Sequence, residues 1–294
     1  ISKMSIFMDI DVSIITVTWN SAEKISDQIS SVRLACKKYT FEHFIIDNAS
    51  TDDTVSLVKK DFPHIQLIEN KKNMGFGYPH NQAAAVSRGR YFLLLNPDMR
   101  LTPGSIDTLV AWMDKKTDVG IVGPKLVDPD GVIVKEAAPR RFPRVWEHTA
   151  LLFGFARVFP GVLDGYLMKG FGFDKEQEVD SVRGSFMLMR RTVYNTLGWV
   201  FDPRYFIWYE DVDLCREVKK MGMKIVYTPI VSCVDYVGQS FKKRDGFWKK
   251  KHFTQSMLVY TKKWYPWYVW IWVALVRPAA LLISFVYGKV SRNT

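Results

Sequence analysis

Val12-Ser-Ile-Ile-Thr-Val-Thr18 is a near-continuous apolar, β-branched run that ends just before Asn20. A run of this kind is read as a strand buried on both faces, which occurs where helices cover both sides of a parallel sheet. The pattern recurs in FEHFIID (Phe41–Asp47), HIQLIEN (His64–Asn70) and RYFLLLN (Arg90–Asn96). Helical stretches separate these runs: one from Ser21, a candidate N-cap, to Lys38, one after the acid-rich Asn48–Asp53, and one from Tyr78 to Arg88. Pro97 stops the fourth strand, and Pro103 sits at the favoured first position of a further helix. Alternation at this spacing predicts a doubly wound α/β sheet, whose ligands sit beyond the carboxyl ends of the strands. After Gly120 the regularity fades. Asp128-Pro-Asp-Gly131 marks a turn, residues 136–180 have no clear period, Val182–Met189 predicts a strand, Glu210–Met221 a helix, and Met223–Tyr227 a closing strand.

The 294 residues include 41 Lys and Arg against 30 Asp and Glu, a net charge of +11 that would suggest a nucleic-acid partner if it were spread evenly. It is not. Residues 241–294 hold eleven basic groups and one acid, Asp245, a net of +10, so the preceding 240 residues carry only +1. The same tail contains an aromatic, apolar run from Trp264 to Tyr287, broken by Pro266, Arg277 and Pro278. The piece before Arg277 is too short for a bilayer core of about 30 Å, and Arg277 in mid-span costs at least about 2.5–3.5 kcal/mol. The expectation is a kinked, membrane-associating helical segment lying in the interface, with its lysines on an anionic leaflet. A core helix pair and a dimer contact are the competing readings, and a membrane partner is preferred to nucleic acid because the apolar run directly follows the lysines. No secretory signal precedes the first strand, so the body is expected at the cytoplasmic face of the cell membrane. The division expected is a domain over 1–240, with halves at about 11–125 and 126–240, and a tail over 241–294. Cys36, Cys215 and Cys233 cannot all pair and show no zinc spacing; they read as core thiols in a reducing compartment.

Several nucleotide motifs are missing. There is no G-x-x-x-x-G-K-[ST], and Gly75-Phe-Gly77 has His80 where a dinucleotide fingerprint has its third glycine. What recurs is Asn or carboxylate at the carboxyl ends of strands: Asn20, Asp47-Asn48 and Asn96-Pro97-Asp98. Singly these are common caps and turn residues. Together at one sheet edge they form a polar crevice suited to a nucleoside diphosphate with a divalent cation. A second acidic cluster, Glu210-Asp211-Val212-Asp213, opens a helix; it complements the helix dipole or supplies a general base, and Phe206, Trp208 and Tyr209 before it could stack on a sugar.

The ordered set Val12–Asn20, Ile46–Asp52, Asn73–Gly77, Leu94–Asp98, Val122–Lys125 and Tyr209–Cys215 closely resembles the inverting family 2 nucleotide-sugar glycosyltransferases. Within them it looks most like the bacterial rhamnosyltransferases of lipopolysaccharide and cell-wall polysaccharide assembly. The resemblance covers about residues 11–240. It implies a GT-A fold: a mixed, mainly parallel Rossmann-like sheet flanked by helices. By position it implies that Thr18, Asn20, Asp47, Asn48 and Asn96 meet the donor nucleotide, that Gly75, Phe76 and Asn81 wall its site, and that Asp98 ligates Mg2+ or Mn2+. It further implies Asp211 as the base, with Glu210 and Asp213 in support, and Arg183, Gly184, Ser185 and Trp208 on the acceptor side. Many relatives carry His before a Tyr-Val-Gly-Gln-Ser-like string; this chain has Asp235, which can also bind a hard cation. The activity implied is transfer of a sugar, by this likeness L-rhamnose from dTDP-β-L-rhamnose, onto a polyprenyl-diphosphate-linked saccharide or growing polysaccharide. The alternatives are a UDP-galactose or UDP-glucose transferase and an inactive GT-A scaffold.

Overall fold

The computed structural model describes residues 10–155, 158–159, 161–236 and 245–290, the last five as backbone only. The Val237-Gly-Gln-Ser240 string and the basic residues Lys242, Lys243 and Arg244 lie outside the described residues.

The first half follows the expected alternation through β1 (Val12–Thr18), α1 (Ala22–Ala35), β2 (Phe41–Asp47), α2 (Thr54–Asp61), β3 (Gln66–Glu69), α3 (Gly77–Val86) and β4 (Tyr91–Leu95), then adds a short strand the sequence did not announce, β5 (Met99–Leu101), before α4 (Ser105–Lys115) and β6 (Val119–Val127). The second half adds α5 (Val145–Phe153), β7 (Gln177–Glu178), β8 (Phe186–Arg190), α6 (Arg191–Leu197), α7 (Glu210–Lys220) and β9 (Lys224–Asp235). The sheet order is β3-β2-β1-β4-β8-β6-β9-β5, with β7 also on β9. β3, β2, β1 and β4 are parallel, whereas β8 runs antiparallel between β4 and β6, and β5 and β7 run antiparallel to β9. The sheet is therefore mixed rather than uniformly doubly wound, because the chain returns through residues 136–185 from the opposite end before entering β8.

Both faces are covered, which is why β1 alternates its partners rather than its polarity. Val12 and Ile14 pack with Val32 of α1 and Val110 of α4, whereas Ile15 packs with Ala83 of α3 and Leu214 of α7. Several boundaries move. Ser21 stands at the N-cap of α1 without a side-chain cap bond, and its N–H donates to Thr54 Oγ1 at 2.8 Å. α4 begins at Ser105 behind Gly104 (φ 72°), two residues after Pro103. Residues 182–185, expected in a strand, form a loop before β8, and β9 runs eight residues beyond Tyr227. The three cysteines are buried and unpaired, as expected of core thiols.

The tail folds as two helices, α8 (Gly246–Trp264) and α9 (Trp267–Val290). Position 240 is not a packing boundary. Met257 and Tyr260 of α8 are fully buried against Tyr205, Tyr209 and Val212, together with Leu152 of α5 and Val273 and Ala280 of α9. Lys263, which the sequence places among leaflet-facing lysines, is instead 13% exposed and ion-paired to Asp202, Asp213 and Glu217 at 3.1, 2.7 and 2.9 Å. Arg277 lies along α8, its Nε donating to Thr254 Oγ1 at 3.0 Å. The outer side of α9 leaves Trp267, Tyr268, Leu275, Leu282 and Ile283 exposed, and Trp267–Phe285 is long and apolar enough to cross a membrane by length and composition.

Candidate active site

Two adjoining cavities, of about 100 and 150 Å3, open beyond the carboxyl ends of β1, β2 and β4 and share Phe76, Asn96 and Ile207 as a partition. The smaller is lined by Thr18 and Trp19 after β1, Asn48 after β2, Asn73 and Gly75 before α3, and Phe206 and Trp248 from the second half. Its frame is a hydrogen-bond lattice. Asp47, only 2% exposed, accepts from Thr18 Oγ1 (3.1 Å), from the Ser50 N–H (2.8 Å) and from Ser50 Oγ (2.5 Å). Asn48 donates to the Gly75 carbonyl (2.6 Å) and accepts from the Met74 N–H (3.2 Å), fixing the 73–76 loop over the sheet edge. Gly75 has to be glycine: its φ is 85°, and a Cβ there would lie 2.2 Å from the Phe206 carbonyl oxygen.

The larger cavity is lined by Arg140, Tyr166, Arg183, Gly184, Ser185, Trp208, Glu210 and Asp211, among others. Trp208 and Tyr209 both have positive φ (65° and 69°), and this tight entry turns α7 so that its first residues face the cavity. Such conformations cost about 1–2 kcal/mol per residue, and Phe253 and Tyr260 of α8 hold them by packing on Trp208 and Tyr209. Asp211 is half-buried and accepts from the Gly184 N–H (3.2 Å) and the Val212 N–H (2.8 Å). Burial, and then the neighbouring Asp211, push Glu210 well above the usual carboxylate range, and its Oε2 has no hydrogen-bond partner. The two adjacent acids thus differ in setting: Asp211 is half-buried with backbone N–H partners, and Glu210 is a buried acid with an unused bonding position. Ser185 Oγ is likewise unpaired. Burial and the neighbouring Arg140 lower the pKa of Arg183, while Asp211 and Asp235 act in the opposite direction.

Asp98 and Asp235 stand on neighbouring strand ends of the sheet. Met99 of β5 pairs with Asp235 of β9, and the Tyr236 N–H donates to the Asp98 carbonyl at 3.1 Å. Both residues are 7% exposed. Either carboxylate has the hard oxygen chemistry that a Mg2+- or Mn2+-type ion takes beside diphosphate oxygens and water. No cluster of three or more His, Cys, Asp or Glu side chains that could hold a metal ion occurs among the described residues.

Not every expected residue lines a cavity. Asn81 bonds the 200–201 backbone, donating to the Phe201 carbonyl (2.6 Å) and accepting from the Val200 and Phe201 N–H groups (2.8 and 3.0 Å). Asn20 accepts from the Thr51 N–H at 2.7 Å. Asp213, fully buried, faces away from the cavity and accepts from Lys263, Trp264 and Tyr205. Arg140, Tyr166, Phe253 and Trp248 carried no sequence signal; they come from the aperiodic 136–180 stretch and the tail, and only the fold brings them to the site.

The family described as "Glycosyl transferase family 2" matches residues 13–198, and "Glycosyltransferase like family 2" matches residues 164–248. An N-acetylglucosaminyl-diphospho-decaprenol L-rhamnosyltransferase of Mycobacterium tuberculosis is 29% identical over 241 residues, 77% of this chain and 76% of that protein. The rhamnosyltransferase WbbL of Escherichia coli is 23% identical over 222 residues, 71% of this chain and 80% of that protein. Among solved structures, the mannosyltransferase PcManGT of Pyrobaculum calidifontis, in complex with GDP-Man and Mn2+, superposes with a TM-score of 0.56 at 18% identity, over 96% of this chain and 74% of that one. S. aureus TarS 1-349 superposes at 0.53 with 15% identity, over 76% of this chain and 60% of that one. These likenesses show the GT-A type of mixed sheet flanked by helices. With the motifs at the strand ends and a family match over more than half its length, the chain belongs to glycosyl transferase family 2.

Proposed function

We propose that the chain is an inverting transferase that moves L-rhamnose from dTDP-β-L-rhamnose onto a polyprenyl-diphosphate-linked saccharide at the cytoplasmic face of the membrane, in cell-envelope glycan synthesis. The observation that carries the reading is the placement of Asp211. Its carboxylate is fixed by two backbone N–H groups at the wall of a cavity that adjoins the nucleotide cleft across Phe76 and Asn96. The nucleotide occupies the cleft framed by Thr18, Asn48 and Gly75, the donor sugar sits at the partition, and the acceptor hydroxyl enters beside Asp211. Asp211 takes the hydroxyl proton as the oxygen attacks the anomeric carbon, and the bond to the diphosphate breaks on the opposite side, inverting that carbon. Glu210 and Ser185 offer unpaired polar atoms to sugar hydroxyls, and Arg183 and Arg140 hold positive charge over the reacting centre. A divalent cation bound at Asp98 or at Asp235 would neutralise the departing diphosphate. The relatives named as rhamnosyltransferases support rhamnose, and the decaprenol-linked substrate in one name supports a lipid-linked acceptor.

The test is sugar transfer to N-acetylglucosaminyl-diphospho-polyprenol with dTDP-rhamnose, UDP-galactose and UDP-glucose, beside thermal shifts with dTDP, UDP and GDP in the presence and absence of Mn2+. Transfer from dTDP-rhamnose with Mn2+-dependent stabilisation by dTDP is the expected result. Transfer from a UDP-hexose alone replaces the donor assignment, and absence of transfer from every donor overturns the reading in favour of a scaffold.

A further inference from the structure

A third cavity, of about 870 Å3, runs between α5, α8 and α9 and shares two walls, Trp208 and Phe253, with the cavity that holds Asp211. Its volume lies within the range of about 300–1,000 Å3 typical of small-ligand sites. Leu151, Phe153, Val158 and Ile283 make it apolar along one course, and Lys249 and Lys250 add positive charge. The Lys250 ammonium donates to the Leu151 carbonyl at 3.0 Å, which ties α8 to the last turn of α5. Val158 is 70% and Ile283 48% exposed, and Leu282 and Phe285 extend the apolar surface along α9. A contiguous exposed apolar surface of this kind marks an interaction site.

We propose that this groove binds the isoprenoid chain of the polyprenyl-diphosphate-linked acceptor, with its diphosphate beside Lys249 and Lys250. The proposal rests on the reading of a lipid-linked acceptor given above and adds where that lipid lies. Charge and continuity select the occupant. A ligand that enters the Asp211 cavity with its sugar, carries anionic phosphates next and ends in an apolar chain finds, across the shared Trp208 and Phe253, one groove that holds both lysines and apolar side chains. A bilayer phospholipid or a second copy of the chain has no reason to share Trp208 and Phe253 with the reacting centre.

The experiment is binding of long-chain polyprenyl diphosphate to the full chain in uncharged detergent micelles, read by tryptophan fluorescence, with isopentenyl diphosphate and phosphatidylglycerol as comparison probes. Long-chain polyprenyl diphosphate is expected to bind at least about tenfold more tightly than either comparison probe. Ile283→Glu and Val158→Glu, on exposed positions, are each expected to weaken that binding about tenfold, and Val86→Glu, on the exposed side of α3, to leave it in place. Lys249→Glu is expected to weaken the binding of both diphosphates. The proposal is overturned if the two groove variants bind long-chain polyprenyl diphosphate within about twofold of the unaltered chain. It is equally overturned if phosphatidylglycerol competes as well as the isoprenoid. Binding is read without donor or transfer, so its failure is separate from failure of the transferase reading, which shows as no sugar transferred.

Discussion

Asp211 and Asp213 stand two residues apart on one helix and do different work, because one faces a cavity and the other the core. The Gly184 and Val212 N–H groups donate to different oxygens of Asp211, so Asp211→Asn keeps one of the two bonds and, on the proposed reading, removes the proton acceptor. Transfer is expected to fall by about 10²–10⁴-fold with the nucleotide Kd unchanged, read by initial rates and calorimetry side by side. Asp98→Asn tests the other end of the site. It is expected to raise the Mn2+ concentration needed for half-maximal transfer while the unfolding midpoint moves little. The strand-end residues were legible because a strand that ends in Asn or Asp declares itself by the apolar run before it: Thr18, Asn48 and Asn96 all line the cleft. Asn81 was not, since position in a motif does not tell an amide that meets a ligand from one that holds two loops together. Arg140 and Tyr166 were invisible for a simpler reason: they sit in a stretch with no period, where nothing local distinguishes a cavity wall from a surface loop.

Among the elements, α7 is held from behind by α8. Lys263 sits among three carboxylates, and despite burial its hydrogen bonds to Asp213 and Glu217 raise its pKa. Asp202, against the cost of its own burial, is held down to about 2 by Arg204 and Lys263. Removing the ammonium with Lys263→Ala leaves Asp213 buried and uncompensated, a loss expected to cost about 3–5 kcal/mol in urea unfolding, with partial recovery in Lys263→Arg. Cutting the chain at residue 245 exposes Leu152, Tyr205, Tyr209 and Val212, so the shortened chain is expected to aggregate or remain unfolded, as read by circular dichroism and gel filtration. The first-half elements through β4 followed from apolar periodicity. The antiparallel β8 did not, since periodicity carries no direction, and α8 was hidden because its lysines and tryptophans look alike whether they meet lipid headgroups or buried carboxylates.

At the scale of the molecule, pH acts through buried bases. His43 and His148 are lowered to about 3 and His80 to about 4, each chiefly by burial. Their unfolded values lie near 6.5, so between about 6.5 and 4 the unfolded chain takes up protons that the folded chain refuses. Stability from these groups is therefore complete above about pH 6.5 and is lost as the pH falls, by about 1.4 kcal/mol per pH unit for each histidine. Urea midpoints measured from pH 6.5 to 4.5 are expected to drop steeply, and His148→Phe to lessen the slope by one proton. The bond from Trp264 Nε1 to Asp213, two residues from Asp211, has a consequence for inheritance. A tail that only addressed its enzyme to a membrane could be exchanged between relatives like a label, but this one supplies part of the interior on which the acidic helix rests. Grafting a foreign tail at the 240 boundary thus amounts to a core transplant: catalytic half and tail must vary together, and a chimera is expected to fold only when the donor tail brings its own Lys–Trp pair in register.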